Sequence, residues 1–413
     1  MVAQDTNLTG YPFQYLNALL DGVEPPAEQE RILLHIGEPQ NGPPVWVNQI
    51  ILHAAQSLET GPGGGWAKYP PARGSASYRQ AVAEWATRRF ALPDGMLDAN
   101  RNVNPCPGTR EALYFAGTVA RNLVEQERAR QGRGFGPDGP AVLMPNPFYH
   151  AYAGAAAAAG AEPVLLPADP ETNFLPNLDA LSEDLLARTC LFFMCSPANP
   201  QGTVANPEVL ARLIGMAREY GFYLCFDECY SEIYADAPPV GALTAAADLG
   251  GDLSRIAVFH SLSKRSSAPG LRSGFIAGDV DLIDGYVDLI GHGGVPLPLP
   301  ILAGAEALWR DEEHVAANRE MYRQNFDAAE AALSGRFGFY RPPGGFFLWL
   351  DVGDGEAAAK RVWQKAGLRT MPGGYMARVH DDGTNPGAPY LRVALVHQPD
   401  VTHGAMERLA AHL

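Results

Sequence analysis

The stretch "FHSLSKRSSAPGLRSGFIAGD", residues 259–279, sets Lys264 between small hydroxyl residues, after an apolar run and before a glycine-rich segment. No acidic residue stands close to Lys264 in the sequence to pair with it. Two interpretations are open from this stretch alone. A Ser-Lys-Arg triplet at a strand end is often a solvated polar turn, whereas a lysine held among hydroxyls can be a covalent anchor for an aldehyde. The second interpretation requires partner residues elsewhere in the chain.

Length and composition indicate a globular protein with more than one domain. The chain has 413 residues, of which 46% are hydrophobic and 19% charged, close to ordinary usage. A chain of this length is expected to form a large domain and a smaller one. The net charge of −15 opposes a general affinity for nucleic-acid phosphates or anionic membranes. We therefore predict no nucleic-acid partner and no membrane partner.

The cysteines and the N-terminus carry no sign of a metal site or of secretion. The five cysteines show no Cys-x-x-Cys spacing, so we interpret them as small buried hydrophobes in a reducing compartment and predict no metal. The first twenty residues lack a basic stretch followed by an apolar one, and no apolar run has the length of a membrane helix. The sequence predicts a cytoplasmic protein.

Short apolar runs alternate with longer amphipathic segments through the first 300 residues. The predicted strands are AVLMPNP (141–147), EPVLLPA (162–168), CLFFMCSP (190–197), FYLCFDE (222–228), RIAVFHS (255–261) and GFIAGD (274–279). Helices are predicted near 75–90, 109–126, 207–220 and 303–333. Asn206 caps the third helix and Pro207 occupies its first position, and the alanine run 155–159 is expected to be a closely packed helix. The alternation predicts an α/β domain with a mostly parallel, seven-stranded-type sheet covered by helices.

After residue 300 the pattern changes to a long helical stretch followed by GGFFLWLDV and YLRVALV. This change predicts a smaller α+β domain, which the N-terminal segment joins. The predicted boundaries are 46–300 for the large, cofactor-binding domain and 1–45 with 301–413 for the small domain.

Four of the predicted strands run into polar residues of unlike kinds. These residues are Tyr149, Asn199, Asp227 with Tyr230, and Ser261 with Ser263 and Lys264. Each has an ordinary alternative, since Asp often caps a helix, Asn-Pro often forms a turn and Tyr is often half-buried. Ligands of open parallel sheets bind beyond the carboxyl ends of the strands. Together the groups therefore predict one pocket.

Pyridoxal phosphate is a cofactor that uses groups of all these kinds. Its ring nitrogen needs a carboxylate, for which Asp227 is the candidate. Its phenolate oxygen takes hydrogen bonds from Tyr230 and Asn199, and its ring stacks on an aromatic face such as Tyr149. Lys264 would form a Schiff base with its aldehyde.

The phosphate of this cofactor requires backbone N–H donors at the start of a helix. The segment PGTREAL has that form, because Gly108, Thr109 and Arg110 open a predicted helix. Short hydroxyls and a guanidinium complete a charge-assisted cradle. These additional donors are Ser261, Ser263 and Arg272.

The segments SPANPQGT, FDECY, SLSKRSSAPGLRSG and YLRVALV, in this order, resemble the class I aminotransferases of the aspartate aminotransferase fold type, which depend on pyridoxal phosphate. The resemblance covers nearly the whole chain. It implies that Lys264 is the Schiff-base lysine, that Asp227 pairs with the ring nitrogen, and that Tyr230 and Asn199 bind the phenolate oxygen. It also implies that Arg392 clamps the substrate α-carboxylate.

The same resemblance implies amino and keto acids as substrates and a homodimer as the assembly. Tyr69, in WAKYPPARG, is implied to reach the phosphate in the neighbouring subunit, and Gly37, in HIGEP, to keep the substrate entrance open. A second cation for a distal carboxylate is expected among Arg73, Arg110 and Arg265.

Within that family, DECYSEIYAD, SLSKRSSAPGLRSGFIAGD and DEEHVAANREMYRQNFD are most similar to the succinyldiaminopimelate aminotransferases of bacterial lysine biosynthesis. This similarity implies N-succinyl-diaminopimelate as substrate with glutamate as amino donor. The segments GEPQNGPP and LIGHGGVPLPLP depart from those relatives, and both are expected to line the substrate mouth.

Other functions remain open from the sequence. An aminotransferase for aspartate, aromatic or branched substrates, or a lyase on the same fold, would keep the same cofactor residues. A transcription regulator with a transaminase-like domain would need a basic DNA-binding domain as well, which the charge of −15 opposes.

Overall fold

The strands of the protein form three sheets in the computed structural model, which describes residues 11–62, 64–380 and 382–413. The strands are β1 (Ile32–Leu33), β2 (Val103–Cys106), β3 (Ala141–Asn146), β4 (Glu162–Pro167), β5 (Thr189–Cys195), β6 (Tyr223–Asp227), β7 (Ile256–Ser261), β8 (Gly274–Gly278), β9 (Phe347–Asp351), β10 (Leu368–Arg369), β11 (Met371–Pro372) and β12 (Tyr390–Ala394).

The α-helices of the same residues cover the sheets. They are α1 (Pro12–Leu20), α2 (Trp46–Gln56), α3 (Ala76–Phe90), α4 (Thr109–Arg130), α5 (His150–Ala158), α6 (Glu183–Arg188), α7 (Pro207–Tyr220), α8 (Ala242–Asp248), α9 (Leu262–Arg265), α10 (Val280–Gly293), α11 (Leu299–Arg310), α12 (Glu313–Leu333), α13 (Gly355–Ala366) and α14 (Pro399–His412).

The largest sheet has seven strands in the order β2-β8-β7-β6-β5-β3-β4. Neighbours from β7 to β4 are parallel, and β8 runs antiparallel to both β2 and β7. Strands β5, β6 and β7 are buried along their whole length, as expected for strands covered on both faces. The predicted α/β class and its mostly parallel sheet are confirmed. The carboxyl ends of β5, β6 and β7 meet at one edge, which places the polar residues that follow them side by side.

Two of the predicted helices show why their sequences fold as they do. Helix α7 begins where predicted, because the Asn206 side chain accepts a hydrogen bond from Val209 N at 2.8 Å and Pro207 occupies the first turn. It ends at Gly221, which adopts the left-handed conformation at φ +77°. The alanine run lies in α5 and packs closely on α4, since a Cβ on Gly117 would lie 2.6 Å from the carbonyl oxygen of Ala155.

The predicted long helix 303–333 is two helices, α11 and α12. The chain turns at Asp311, whose backbone is extended and whose carboxylate accepts a hydrogen bond from His314 N. A tertiary contact accounts for the break between the two helices, because the buried guanidinium of Arg265 donates to the carbonyl oxygens of Leu308 at 2.6 Å and Asp311 at 3.1 Å. A contact with a residue so distant in sequence leaves no periodic signal in the helix itself.

The smaller unit is built on the antiparallel sheet β11-β12-β9, with α12, α13 and α14 packed against it. The N-terminal segment joins it through the parallel pair β1-β10. The domain boundaries stay a prediction. Helix α11 (Leu299–Arg310) crosses the predicted boundary between residues 300 and 301. The buried side chains of α11, including Leu302 and Leu308, belong to the core beside the large sheet.

Candidate active site

A cavity of about 650 Å³ opens at the carboxyl ends of β5, β6 and β7. It brings together thirteen of the fourteen predicted site residues. They are Gly37, Gly108, Thr109, Arg110, Tyr149, Asn199, Asp227, Tyr230, Ser261, Ser263, Lys264, Arg272 and Arg392. The fourteenth, Tyr69, is 99% exposed and lies outside the cavity of its own chain.

Lys264 lies in the short helix α9 directly after β7. Its Nζ donates a hydrogen bond to the carbonyl oxygen of Gly37 and lies 5.4 Å from the centre of the Phe346 ring. Burial lowers the pKa of Lys264 to about 8, with help from the positive charge of Arg392. A substantial fraction of the amine is therefore neutral near physiological pH, the form in which an amine is nucleophilic and accepts a proton.

Asp227 ends β6 and is 5% exposed. The hydroxyl of Tyr152 donates to Asp227 Oδ2 at 2.8 Å, and Cys229 N donates to Oδ1 at 3.3 Å. Burial raises the pKa of Asp227, while these hydrogen bonds act in the opposite direction. A positive charge beside this carboxylate would offset its desolvation, which suits a protonated ring nitrogen.

Sequence reasoning missed Tyr152 and Cys229 as site residues. Tyr152 is fully buried and stacks on Phe193 at 4.6 Å between ring centres. Its spacing of three from Tyr149 at the start of α5 was the available signal, because residues three apart lie on one helix face. Cys229 lines the cavity, and its Sγ lies 3.1 Å from Thr109 Oγ1.

The start of α4 has the geometry that the sequence predicts for a phosphate cradle. Gly108 precedes the helix at φ +77°, and a Cβ there would lie 2.3 Å from Arg272 Nη2. Arg272 donates to the carbonyl oxygens of Pro269 at 2.9 Å and Pro107 at 3.0 Å. Free N–H groups at a helix start, together with a guanidinium, suit a phosphate.

The remaining predicted residues complete the walls of the cavity. Ser261 Oγ and Ser263 Oγ lie 2.8 Å apart at the end of β7. Tyr230 is buried with its ring edge-on to Phe346, 5.4 Å between centres. The Tyr149 hydroxyl accepts a hydrogen bond from Arg110 Nε at 2.9 Å, which fixes both side chains.

Arg392 enters the cavity from β12 of the smaller sheet. Its Nη1 donates to Asn199 Oδ1 at 2.9 Å, its Nη2 donates to the His35 carbonyl oxygen at 2.7 Å, and its guanidinium carbon lies 4.3 Å from the centre of the Phe347 ring. Burial lowers the pKa of Arg392 to about 10, so the group stays charged at neutral pH. A buried, oriented guanidinium is a fork for a carboxylate.

Two of the three arginines considered for a distal carboxylate lie elsewhere. Arg265 is 2% exposed, with its guanidinium held by Leu308, Asp311 and Glu312. Arg73 forms an ion pair with Asp284. Neither lines the cavity, so Arg110 alone remains of the three.

Gly37 lines the cavity, its predicted role at the substrate entrance stays a prediction, and its lack of a side chain is also required by packing. A Cβ at this position would lie 2.4 Å from Cζ of Phe347, so the missing side chain allows the close approach of that ring. The Gly37 carbonyl also faces Lys264.

The cavity fits pyridoxal phosphate. It offers an amine of lowered pKa, a buried carboxylate, an aromatic wall and a helix start whose glycine leaves room for an anion. Among the residues that the structure describes, no group of His, Cys, Asp or Glu side chains is arranged to hold a metal ion, and no helix has the length and apolar character needed to cross a membrane.

Comparison with known proteins gives a family and relatives that are aminotransferases, in agreement with a cavity that fits pyridoxal phosphate. The family model for aminotransferase class I and II matches residues 30–413. An LL-diaminopimelate aminotransferase of Desulforudis audaxviator is 32% identical over 355 residues, which cover 83% of this chain and 81% of that relative. An aminotransferase structure from Neisseria meningitidis superposes with a TM-score of 0.87 at 34% identity, covering 98% of each chain. The aminotransferase AspB of Helicobacter pylori superposes with a TM-score of 0.83 at 33% identity, covering 97% of this chain and 98% of that one. The chain belongs to the class I and II aminotransferases, enzymes that depend on pyridoxal phosphate.

Proposed function

We propose that this aminotransferase moves an amino group between glutamate and a long substrate of the diaminopimelate class, with N-succinyl-diaminopimelate as the first candidate. The observation that carries the proposal is that two guanidinium groups line the cavity in addition to Arg272 of the cradle, namely the buried Arg392 and the exposed Arg110. Glutamate carries two carboxylates and N-succinyl-diaminopimelate carries three, so each presents its α-carboxylate to Arg392 and another carboxylate towards a second cation. The motif similarity to succinyldiaminopimelate aminotransferases supports the succinylated form.

Free LL-diaminopimelate is the second candidate. Glu38 lines the same cavity, and its negative charge acts on Lys264. A carboxylate at this place favours a substrate whose distal nitrogen is an ammonium, and succinylation removes that charge. Several relatives between 27% and 32% identical are named LL-diaminopimelate aminotransferases, which adds support for this form.

The positions of the residues support the following roles. Pyridoxal phosphate, when bound, supplies the electron sink that makes the substrate Cα–H acidic. Arg392 holds the α-carboxylate and thereby orients the Cα–H bond. Lys264, once its amine is free, takes the proton from Cα as a general base, for which a pKa of about 8 is well matched. Asp227 keeps the proton on the ring nitrogen, and Tyr230 with Asn199 binds the phenolate oxygen.

A substrate panel tests the proposal. Glutamate is offered with N-succinyl-2-amino-6-oxopimelate, with the unsuccinylated keto acid, and with aspartate-type, aromatic and branched keto acids. We expect one of the two diaminopimelate-class acceptors to give the highest kcat/KM by at least about tenfold, the factor that one well-placed ionic contact supplies. Higher activity with a simple keto acid than with both would reject the diaminopimelate assignment and leave the aminotransferase activity in place.

Incubation with the amino donor alone distinguishes an aminotransferase from a lyase. An aminotransferase incubated with the amino donor and no acceptor converts its cofactor to the pyridoxamine form. A lyase returns the cofactor unchanged and releases a cleaved product.

A further inference from the structure

The segment Gly37–Pro44, GEPQNGPP, is called the mouth segment here because Gly37 and Glu38 line the cavity. A chain of side-chain amides connects it to α9 (Leu262–Arg265), the single helical turn that carries Lys264 and is called the lysine turn here. Asn41 Nδ2 donates to Asn318 Oδ1 at 2.7 Å, and Asn318 Nδ2 donates to the carbonyl oxygen of Arg265 at 3.1 Å. Arg265 directly follows Lys264, so Asn318, on α12, bridges the mouth segment and the lysine turn.

The orientation of the bridging amide is fixed by its partners. A carbonyl oxygen can only accept, so the NH₂ group of Asn318 must face Arg265 and its oxygen must face Asn41. Both asparagines are half-buried, which protects the two hydrogen bonds from competition with bulk water.

The lysine turn is a rigid base for this connection. The side chain of Arg265 is held by three groups at the junction of α11 and α12, and its guanidinium carbon lies 5.0 Å from the centre of the Trp309 ring. The mouth segment is also tied on its other side, where Gln40 N donates to the Val396 carbonyl oxygen at 3.0 Å.

A second link joins the same two segments, namely the hydrogen bond from Lys264 Nζ to the Gly37 carbonyl oxygen. This link uses the amine that the reaction needs. When Lys264 Nζ is bonded to the cofactor it is no longer a free amine and this link is lost, whereas the Asn318 bonds involve no reacting group.

We propose that Asn318 is a positioning residue, which holds the mouth segment in register with the lysine turn while the lysine amine is bonded to the cofactor. The mouth segment contributes to binding of the substrate, so its loss of register weakens substrate binding more than it slows the chemical step. This role does not depend on which substrate the enzyme uses.

The test compares Asn318→Leu and Asn41→Ala with the unaltered holoenzyme, using the donor and acceptor with the highest turnover in the substrate panel. Gln324→Ala is the matched control, because its amide bonds Glu320 on the exposed face of the same helix. We expect KM to rise about fivefold to tenfold in each single variant, the factor of one ordinary hydrogen bond, with kcat changed less than about twofold. The Gln324→Ala enzyme should keep both constants.

The double variant Asn41→Ala with Asn318→Leu distinguishes positioning from general stabilisation. We expect its KM to match that of Asn318→Leu, since both changes break one connection. A KM within about twofold of the unaltered enzyme in both single variants, or effects that multiply in the double variant, would overturn the proposal. If Asn318→Leu fails to fold, Asn41→Ala alone decides, because that side chain lies in a surface segment.

Discussion

The proposed chemistry depends on two buried ionisable side chains, and burial shifts both towards neutrality. The pKa of Lys264 falls to about 8 and that of Asp227 rises, because each charge loses its hydration. The lysine thereby becomes a usable nucleophile and base. The carboxylate becomes an ion in need of a cationic neighbour, which a protonated ring nitrogen provides.

Cofactor loading should follow the lysine titration. Below about pH 8 most of the Lys264 amine is protonated and unreactive, so the rate of covalent attachment to the apoenzyme should rise about tenfold per pH unit and level off above pH 8. Stopped-flow absorbance on addition of pyridoxal phosphate measures this rate. Non-covalent binding to Lys264→Ala gives the baseline for ionisation of the phosphate. A rate that keeps rising about tenfold per pH unit up to about pH 10, the ordinary range of a lysine, would contradict the lowered pKa.

Replacing Asp227 by Asn should separate chemistry from cofactor retention. The amide keeps the shape of the carboxylate but loses its charge, so we expect kcat to fall by about a hundredfold or more. The cradle at Gly108 and Arg272 is untouched, so the cofactor should stay bound. Steady-state kinetics and the cofactor content after gel filtration measure the two effects. Near-normal turnover in this variant would remove Asp227 from its assigned role.

The helices and strands were predictable where their signal is local. Six apolar runs and the capped helix α7 needed only periodicity and end signals, and the polar residues at the ends of β5, β6 and β7 followed from the sheet. Strand β2 was missed because its four residues include Asn104 and Pro105, which are poor strand signals. The break at Asp311 and the role of Tyr152 depend on partners distant in sequence, so no local pattern encodes them.

The helix start at Gly108 gives a matched pair of variants. Gly108 and Gly160 both have positive φ, +77° and +61°, but a Cβ on Gly160 meets nothing within 4 Å, whereas one on Gly108 meets Arg272. Replacement by Ala should cost about 1 kcal/mol of stability at Gly160 through backbone strain. It should cost more at Gly108, whose φ of +77° and ψ of 155° lie in a region that is essentially restricted to glycine. Only Gly108→Ala should weaken cofactor binding, by about tenfold or more, because it displaces the guanidinium of the cradle. Thermal unfolding and cofactor titration measure these effects, and equal cofactor affinities in the two variants would argue against the cradle.

The assembly adds one more element to the proposed site. Class I aminotransferases are typically dimeric, and Tyr69 is exposed on its own chain. We predict that Tyr69 completes the phosphate site of the partner subunit in a homodimer. A heterodimer of Tyr69→Ala and Lys264→Ala chains then contains one intact site, whereas neither variant alone has any. Activity should therefore return when the two variants are refolded together, because about half of the active sites in each heterodimer are intact. If heterodimers form but show no activity, the shared site is refuted.

The most direct measurement follows the amino group through a single turnover. The holoenzyme is mixed with an excess of amino donor that carries an isotope label on nitrogen, without acceptor, and the products are analysed by mass spectrometry. The account predicts one labelled pyridoxamine phosphate and one keto acid per active site with the unaltered enzyme, and neither with Lys264→Ala. Keto acid without label on the cofactor, or full conversion by the Lys264→Ala enzyme, would contradict amino transfer through Lys264.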